Sequence, residues 1–163
     1  MDPFFTAIES TALSIWLRES PSLWAFPFVL ILHTVGLAFL VGANVALDAR
    51  VLGLAADVPP TTLRRYDVVM WAGFWVNAVS GALLLIAYPT KALTNPLFYG
   101  KLALIAAGLL LAQALRRQLH DRGPLSSRAR RMAIASLVIW AAGITAGRLL
   151  AYTYSRLTVD LVG

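Results

Sequence analysis

Four long, predominantly apolar stretches, joined by segments that gather arginine, constrain this chain more than any other feature. From Ser20 to Leu47 the only ionisable side chain is His33. Val68 to Thr90 is uncharged and is closed by Tyr88-Pro89. A third stretch opens at Asn95-Pro96, an N-cap followed by proline at the first helical position, and stops at Gly123-Pro124. The fourth is most apolar from Met132 to Gly147. Each is long enough for the roughly 20 residues that a helix needs to cross a hydrocarbon core. Short of a closed barrel, only helices satisfy their own backbone there. The expected fold is an all-α, integral membrane four-helix bundle forming one domain over residues 1–163, with spans near 22–47, 66–88, 97–119 and 128–153.

Composition agrees with lipid as solvent. Hydrophobic residues make up 59% of the 163, against roughly 45–50% in soluble domains. A net charge of +6 would suggest nucleic acid as partner in a soluble protein. Here the basic residues flank apolar runs, where they orient helices, so nucleic-acid binding is not expected. The absence of cysteine excludes disulfides, thiolate ligation and iron–sulfur clusters. The N-terminus, Met1-Asp2-Pro3-Phe4-Phe5, lacks a basic signal region, so no cleavable leader is expected.

Orientation follows from where lysine and arginine fall. Nine basic residues lie in two connections: Arg50, Arg64 and Arg65 in one, and Arg116, Arg117, Arg122, Arg128, Arg130 and Arg131 in the other. The remaining five are Arg18, Lys91, Lys101, Arg148 and Arg156. The richer side is expected in the cytoplasm, which leaves both termini outside. Ahead of the first span, Phe4, Ile8, Ala12, Ile15 and Trp16 recur at helical spacing. This predicts a short amphipathic helix over about 4–18, lying in the membrane interface.

His33 is the leading candidate for chemistry, because an ionisable group within an apolar span is costly and calls for a reason. Gly36, one turn on, is expected to leave room beside the imidazole for a flat ligand such as haem b, and imidazole is a good iron ligand. The competing reading is a neutral histidine hydrogen-bonded across helices. Asn77 is its candidate partner, since counting helical rise places the two within about one turn of the same depth. A second axial ligand is not evident. His120 lies among arginines beyond the third span, and Met70 and Met132 are at the wrong depth. A homodimer with the first span at its two-fold axis would supply a second His33.

Lys101 and Arg148 fall near the outer ends of adjacent helices, Arg148 about 9 Å outward of His33 by helical rise. They suit haem propionates, a quinone carbonyl or lipid phosphate, or they simply snorkel to the interface. Gly73, Asn77 and Gly81, like Gly143 and Gly147, recur every four residues as close helix packing requires. Trp71, Trp75 and Trp140 fill the bundle or line a cofactor pocket. No carboxylate lies between Asp67 and Asp121, and none follows in the fourth span before Asp160, which argues against ion-coupled transport. No HExxH, G-x-S-x-G, P-loop or paired-carboxylate pattern is present, so intramembrane hydrolysis is not expected.

The motifs His33-Thr34-x-Gly36-Leu37, Asp48-x-Arg50-x-Leu52-Gly53, Asn95-Pro96-x-Phe98-x-x-Lys101 and Gly147-Arg148-Leu149-Leu150-Ala151-Tyr152 resemble a family of small four-helix bacterial inner-membrane proteins over most of the chain. A looser similarity runs to cytochrome b561-type and copper-resistance D-type bundles. That similarity implies haem b, electron transfer or copper handling in the outer half, with His33 as the one position that takes a haem role. The b561-type bundles place several histidines in their helices. His33 stands alone in the spans, so a two-haem wire is excluded. Two further readings are a non-catalytic subunit packed against a larger membrane complex through glycine-lined faces, and a quinone- or lipid-binding bundle without metal.

Overall fold

The computed structural model describes residues 3–55, 59–120 and 126–159, with backbone alone at 60–64, 119–120 and 153–159. Gly123-Pro124, Asp121, Arg122 and Asp160 lie outside the described residues, as do the side chains of Arg64, His120, Tyr154 and Arg156. The regular structure of the described residues is all helical, without strands: α1 (Pro3–Glu9), α2 (Ala12–Glu19), α3 (Phe26–Leu52), α4 (Pro60–Ala87), α5 (Pro89–Leu93), α6 (Pro96–His120) and α7 (Ser127–Val159).

Helices α3, α4, α6 and α7 each contain a stretch long and apolar enough to cross a membrane. No more than 22% of the residues in any of these stretches are buried within the protein. Leu30, Ile31, Phe39, Val79, Leu110 and Val138 all point outward. An apolar surface of this extent has no favourable contact with water.

Helix boundaries follow local chemistry. Charge alone does not end a helix, and α3 runs past the Leu47 limit expected from sequence to Leu52. It stops at Gly53, whose φ of 87° lets its N–H turn back to the carbonyls of Ala49 and Arg50. Asp48 and Arg50 are therefore inside the helix. Helix α4 starts six residues earlier than expected, because Pro60 suits a first helical position, and it ends before Pro89. Asn95 Oδ1 accepts from Leu97 N at 3.0 Å, capping α6 as predicted. Ser126 Oγ accepts from Ala129 N at 3.2 Å at the start of α7.

The expected single N-terminal helix over 4–18 is two helices. Thr11 interrupts it and caps α2, its hydroxyl accepting from Ser14 N. Leu17 is buried against Val29 and Ala87, with Leu83 and Leu84 beside them. Ser14 Oγ donates to Ile86 O at 2.9 Å, and Arg18 Nη1 lies 3.4 Å from Ala87 O. These carbonyls end α4 and have no partner within their own helix, which explains why the polar side chains of α2 turn inward. Glu9 adds a bond from Thr90 Oγ1 at 2.7 Å.

The pair α3–α4 is the most closely packed, followed by α6–α7, and α3 also touches α7. Gly36 and Gly73 are where α3 and α4 meet. A Cβ on Gly36 would sit 2.6 Å from Asn77 N, and one on Gly73 would sit 2.6 Å from Leu40 N. Close approach of backbones through small residues is the packing mode open to helices in an apolar solvent. Trp140 is buried against Leu40, Ala43 and Met70, and its ring occupies the space left by Gly108 on α6. Trp71 and Trp75 face outward, so neither lines the interior.

Candidate functional site

Two helices, α4 and α6, bring polar groups to His33 on α3. Its Nδ1 lies 3.1 Å from the Asn77 carbonyl oxygen and 3.2 Å from Ser80 Oγ, both on α4. Asn77 Nδ2 donates to the His33 carbonyl at 2.8 Å and lies 3.4 Å from Nδ1. From α6, Lys101 Nζ stands 3.3 Å from His33 Nε2.

The network assigns the tautomer. A backbone carbonyl only accepts. Ser80 directs its own hydroxyl proton to Val76 O at 2.6 Å, so its lone pairs face the imidazole. Both neighbours require Nδ1 to donate. Nε2 is then the bare nitrogen, and its lone pair receives an N–H from the Lys101 ammonium. The cross-helix hydrogen-bonded histidine considered from sequence, with Asn77 as partner, is the arrangement present.

Glycines shape the surroundings. A Cβ on Gly81 would lie 3.1 Å from His33 Cε1, so the ring rests directly on that glycine. Gly147 on α7 lies alongside the Lys101 stem, where a Cβ would stand 3.6 Å from Cε. Gly36 does not leave room for a flat ligand, contrary to the sequence expectation. Its open side is filled by the α4 backbone at Gly73 and Asn77.

The structure thus unites His33, Gly36, Asn77 and Lys101 and adds Ser80, Gly81 and Gly147. Arg148 is exposed on α7, one residue beyond Gly147, outside the hydrogen bonds to the imidazole. Ser80 was not foreseen, because a helical serine that bonds its own backbone leaves no periodic trace.

A metal would have to enter this arrangement at Nε2. That nitrogen already faces an ammonium, and Nδ1 faces a carbonyl, so the residues as placed do not fit an axial haem ligand without removing Lys101. Among the described residues no three His, Cys, Asp or Glu side chains converge.

A second polar group lies farther along α3. Asp48 is 1% exposed and Asn44 is fully buried, as is Ser136 on α7. Ser136 stands beside the Asp48 carboxylate. Asn44 Nδ2 donates to Leu40 O at 2.7 Å. Asn44 Oδ1, both Asp48 carboxylate oxygens and Ser136 Oγ have no hydrogen-bond partner in the protein. The lack of carboxylates in the later spans speaks against ion coupling there, but Asp48 lies inside a helix, because α3 extends to Leu52.

In comparison with known proteins, no family model matches the chain, and neither a curated protein nor a solved structure is found similar to it, so the likeness noted above rests on its short motifs.

Proposed function

We propose that this chain is a multi-pass membrane protein that holds the anionic headgroup of a membrane amphiphile, without metal, at Lys101 and His33. The observation that carries this reading is the 3.3 Å contact between Lys101 Nζ and His33 Nε2. The half-buried ammonium is met by a neutral imidazole, and no carboxylate among the described residues pairs with it. A cation taken partly out of water needs an opposite charge to offset its desolvation. One N–H is committed to His33, and two remain for a phosphate or carboxylate oxygen. Arg148, exposed on the same turn of α7 as Gly147, supplies a second cation at the rim.

Four spans, an outward apolar surface and the nine-to-five division of basic residues support insertion with both termini on the outer, periplasmic side of a bacterial inner membrane. In that orientation Lys101, near the start of α6, sits at the outer headgroup level. A neutral quinone would leave the charge uncompensated, which favours the lipid-type ligand.

The test uses delipidated full-length protein in a neutral detergent, titrated with phosphatidylglycerol or phosphatidylcholine and followed by thermal unfolding and native mass spectrometry. Phosphatidylglycerol is expected to bind and stabilise selectively, with the effect reduced at least tenfold in Lys101→Met and retained in Lys101→Arg. Equal binding of both lipids, or undiminished selectivity in Lys101→Met, overturns the reading. A Soret absorption band that disappears in His33→Ala would overturn it in favour of haem.

A further inference from the structure

From the buried oxygens between α3 and α7, we infer a second site, which binds a small monovalent cation through Asp48, Asn44 and Ser136. It is independent of the headgroup reading and lies in the other half of α3: fifteen residues separate His33 from Asp48, roughly 22 Å by helical rise.

The register of the two helices brings the groups together. Leu40 and Ala43 pack with Trp140, while Leu47 and Val51 pack with Ala129 and Ala133, so α3 and α7 run antiparallel. Asn44 and Asp48 are one turn apart on the same face of α3, and Ser136 lies beside Asp48. Trp140 covers the group on the His33 side, with its indole against Gly108.

Acceptors outnumber donors in this group. Four oxygens that accept hydrogen bonds, on Asn44, Asp48 and Ser136, are buried without a partner in the protein, and so is a single donor, Trp140 Nε1. The nearest amide N–H of the group, Asn44 Nδ2, is already spent on the helix backbone. The Ser136 hydroxyl brings a single proton. Beyond that hydroxyl beside it, the Asp48 carboxylate has neither a donor nor a counter-charge, and burying a charge so poorly met is costly. The two ion pairs among the described residues, Arg18–Glu19 and Asp67–Arg116, involve other carboxylates.

Oxygen ligands from a carboxylate, an amide carbonyl and a hydroxyl suit hard cations. One carboxylate supplies one negative charge, which a monovalent ion cancels and a divalent ion would overshoot. Backbone carbonyls freed by relaxation of the helical turn can complete the shell. The protein then has a cation site in the half of the bundle opposite Lys101.

Sodium is the probe. Full-length protein in detergent is assayed for radioactive sodium by scintillation proximity, and for thermal unfolding in sodium chloride against choline chloride at equal ionic strength. Wild type is expected to bind sodium saturably. Its midpoint should rise by roughly 5–10 °C at a hundredfold excess over Kd. Ser136→Ala, which keeps the packing, should weaken binding at least tenfold, and Asp48→Asn should abolish it. Lys101→Met should leave the sodium response intact, which separates failure of this site from failure of the headgroup site. Absence of sodium binding by wild type overturns the inference. So does a sodium response that survives Asp48→Asn. An Asp48→Asn protein that folds as stably as wild type with sodium inert in both would identify a protonated carboxyl instead, and that outcome also overturns it.

Discussion

Replacing Gly36 by alanine tests the α3–α4 contact on which the His33 site is built. The added Cβ would meet Asn77 N at 2.6 Å, Gly73 O at 2.9 Å and Asn77 Cα at 3.1 Å. All three are backbone atoms of a packed helix, so no side chain can swing aside. Restoring ordinary contact at 3.4 Å requires the helices to part locally by 3.4 − 2.6 = 0.8 Å. A gap of that size forfeits a quarter to a half of each dispersion contact along the seam. It would also carry the Asn77 Nδ2–His33 O bond from 2.8 Å towards the limit of hydrogen bonding. Overpacking of this kind costs about 1–3 kcal/mol, and a lost hydrogen bond adds about 0.5–1.5 kcal/mol. The better helix propensity of alanine returns up to about 1 kcal/mol. The net expectation is a loss of about 2–3 kcal/mol, a factor of roughly thirty to over one hundred in the unfolding equilibrium. Gly42→Ala is the internal control, since nothing lies within 4 Å of a Cβ there. It should be neutral or slightly stabilising. The assay is reversible unfolding in mixed micelles, with sodium dodecyl sulfate as denaturant and tryptophan fluorescence as readout. Equal stability of Gly36→Ala and Gly42→Ala, within about 0.5 kcal/mol, would refute the close backbone contact.

Two further outcomes use the same assay. Gly108→Ala should destabilise by about 1–3 kcal/mol, because its Cβ would stand 2.8 Å from the buried Trp140 ring; Trp140→Phe in the same background should recover part of the loss, and absence of any recovery would place the defect elsewhere. Asn77→Ala should cost about 0.5–2 kcal/mol through loss of its bond to the His33 carbonyl, and nitrogen NMR of the imidazole should show the His33 environment altered while Trp140 fluorescence stays unchanged.

How much of this arrangement could be read in advance depended on the kind of signal. Helix type and number were legible, because long apolar runs and proline-bounded starts such as Asn95-Pro96 are local. The level of His33 with Asn77 was also legible, since helical rise converts residue number into depth. Gly36 shows the limit of such counting. A glycine beside a functional residue is equally consistent with a ligand and with a neighbouring backbone, and only the position of α4 distinguishes the two. Asp48 was lost for a different reason: a charged residue was taken as the edge of the apolar segment, while the helix itself continues to the left-handed turn at Gly53. Ser80 and Ser136 had no signature at all, because the groups they approach, His33 and Asp48, lie on another helix and a single serine in a helix carries no period.

Both sites depend on one face of α3. Val29, His33, Gly36, Leu40, Ala43, Asn44, Leu47, Asp48 and Val51 recur at three- and four-residue steps, the spacing that keeps side chains on one side of a helix. Towards its start this stripe meets α4 so closely that glycine is required, which presses the imidazole against Asn77 and Ser80 and turns Nε2 to Lys101. Towards its end the same stripe meets α7, where Ala129 and Ala133 pack on Leu47 and Val51 and Ser136 approaches Asp48. The two polar groups of α3 are thus held by different neighbours, α4 and α6 at one end and α7 at the other, which is why a change at Lys101 and a change at Asp48 can be read separately.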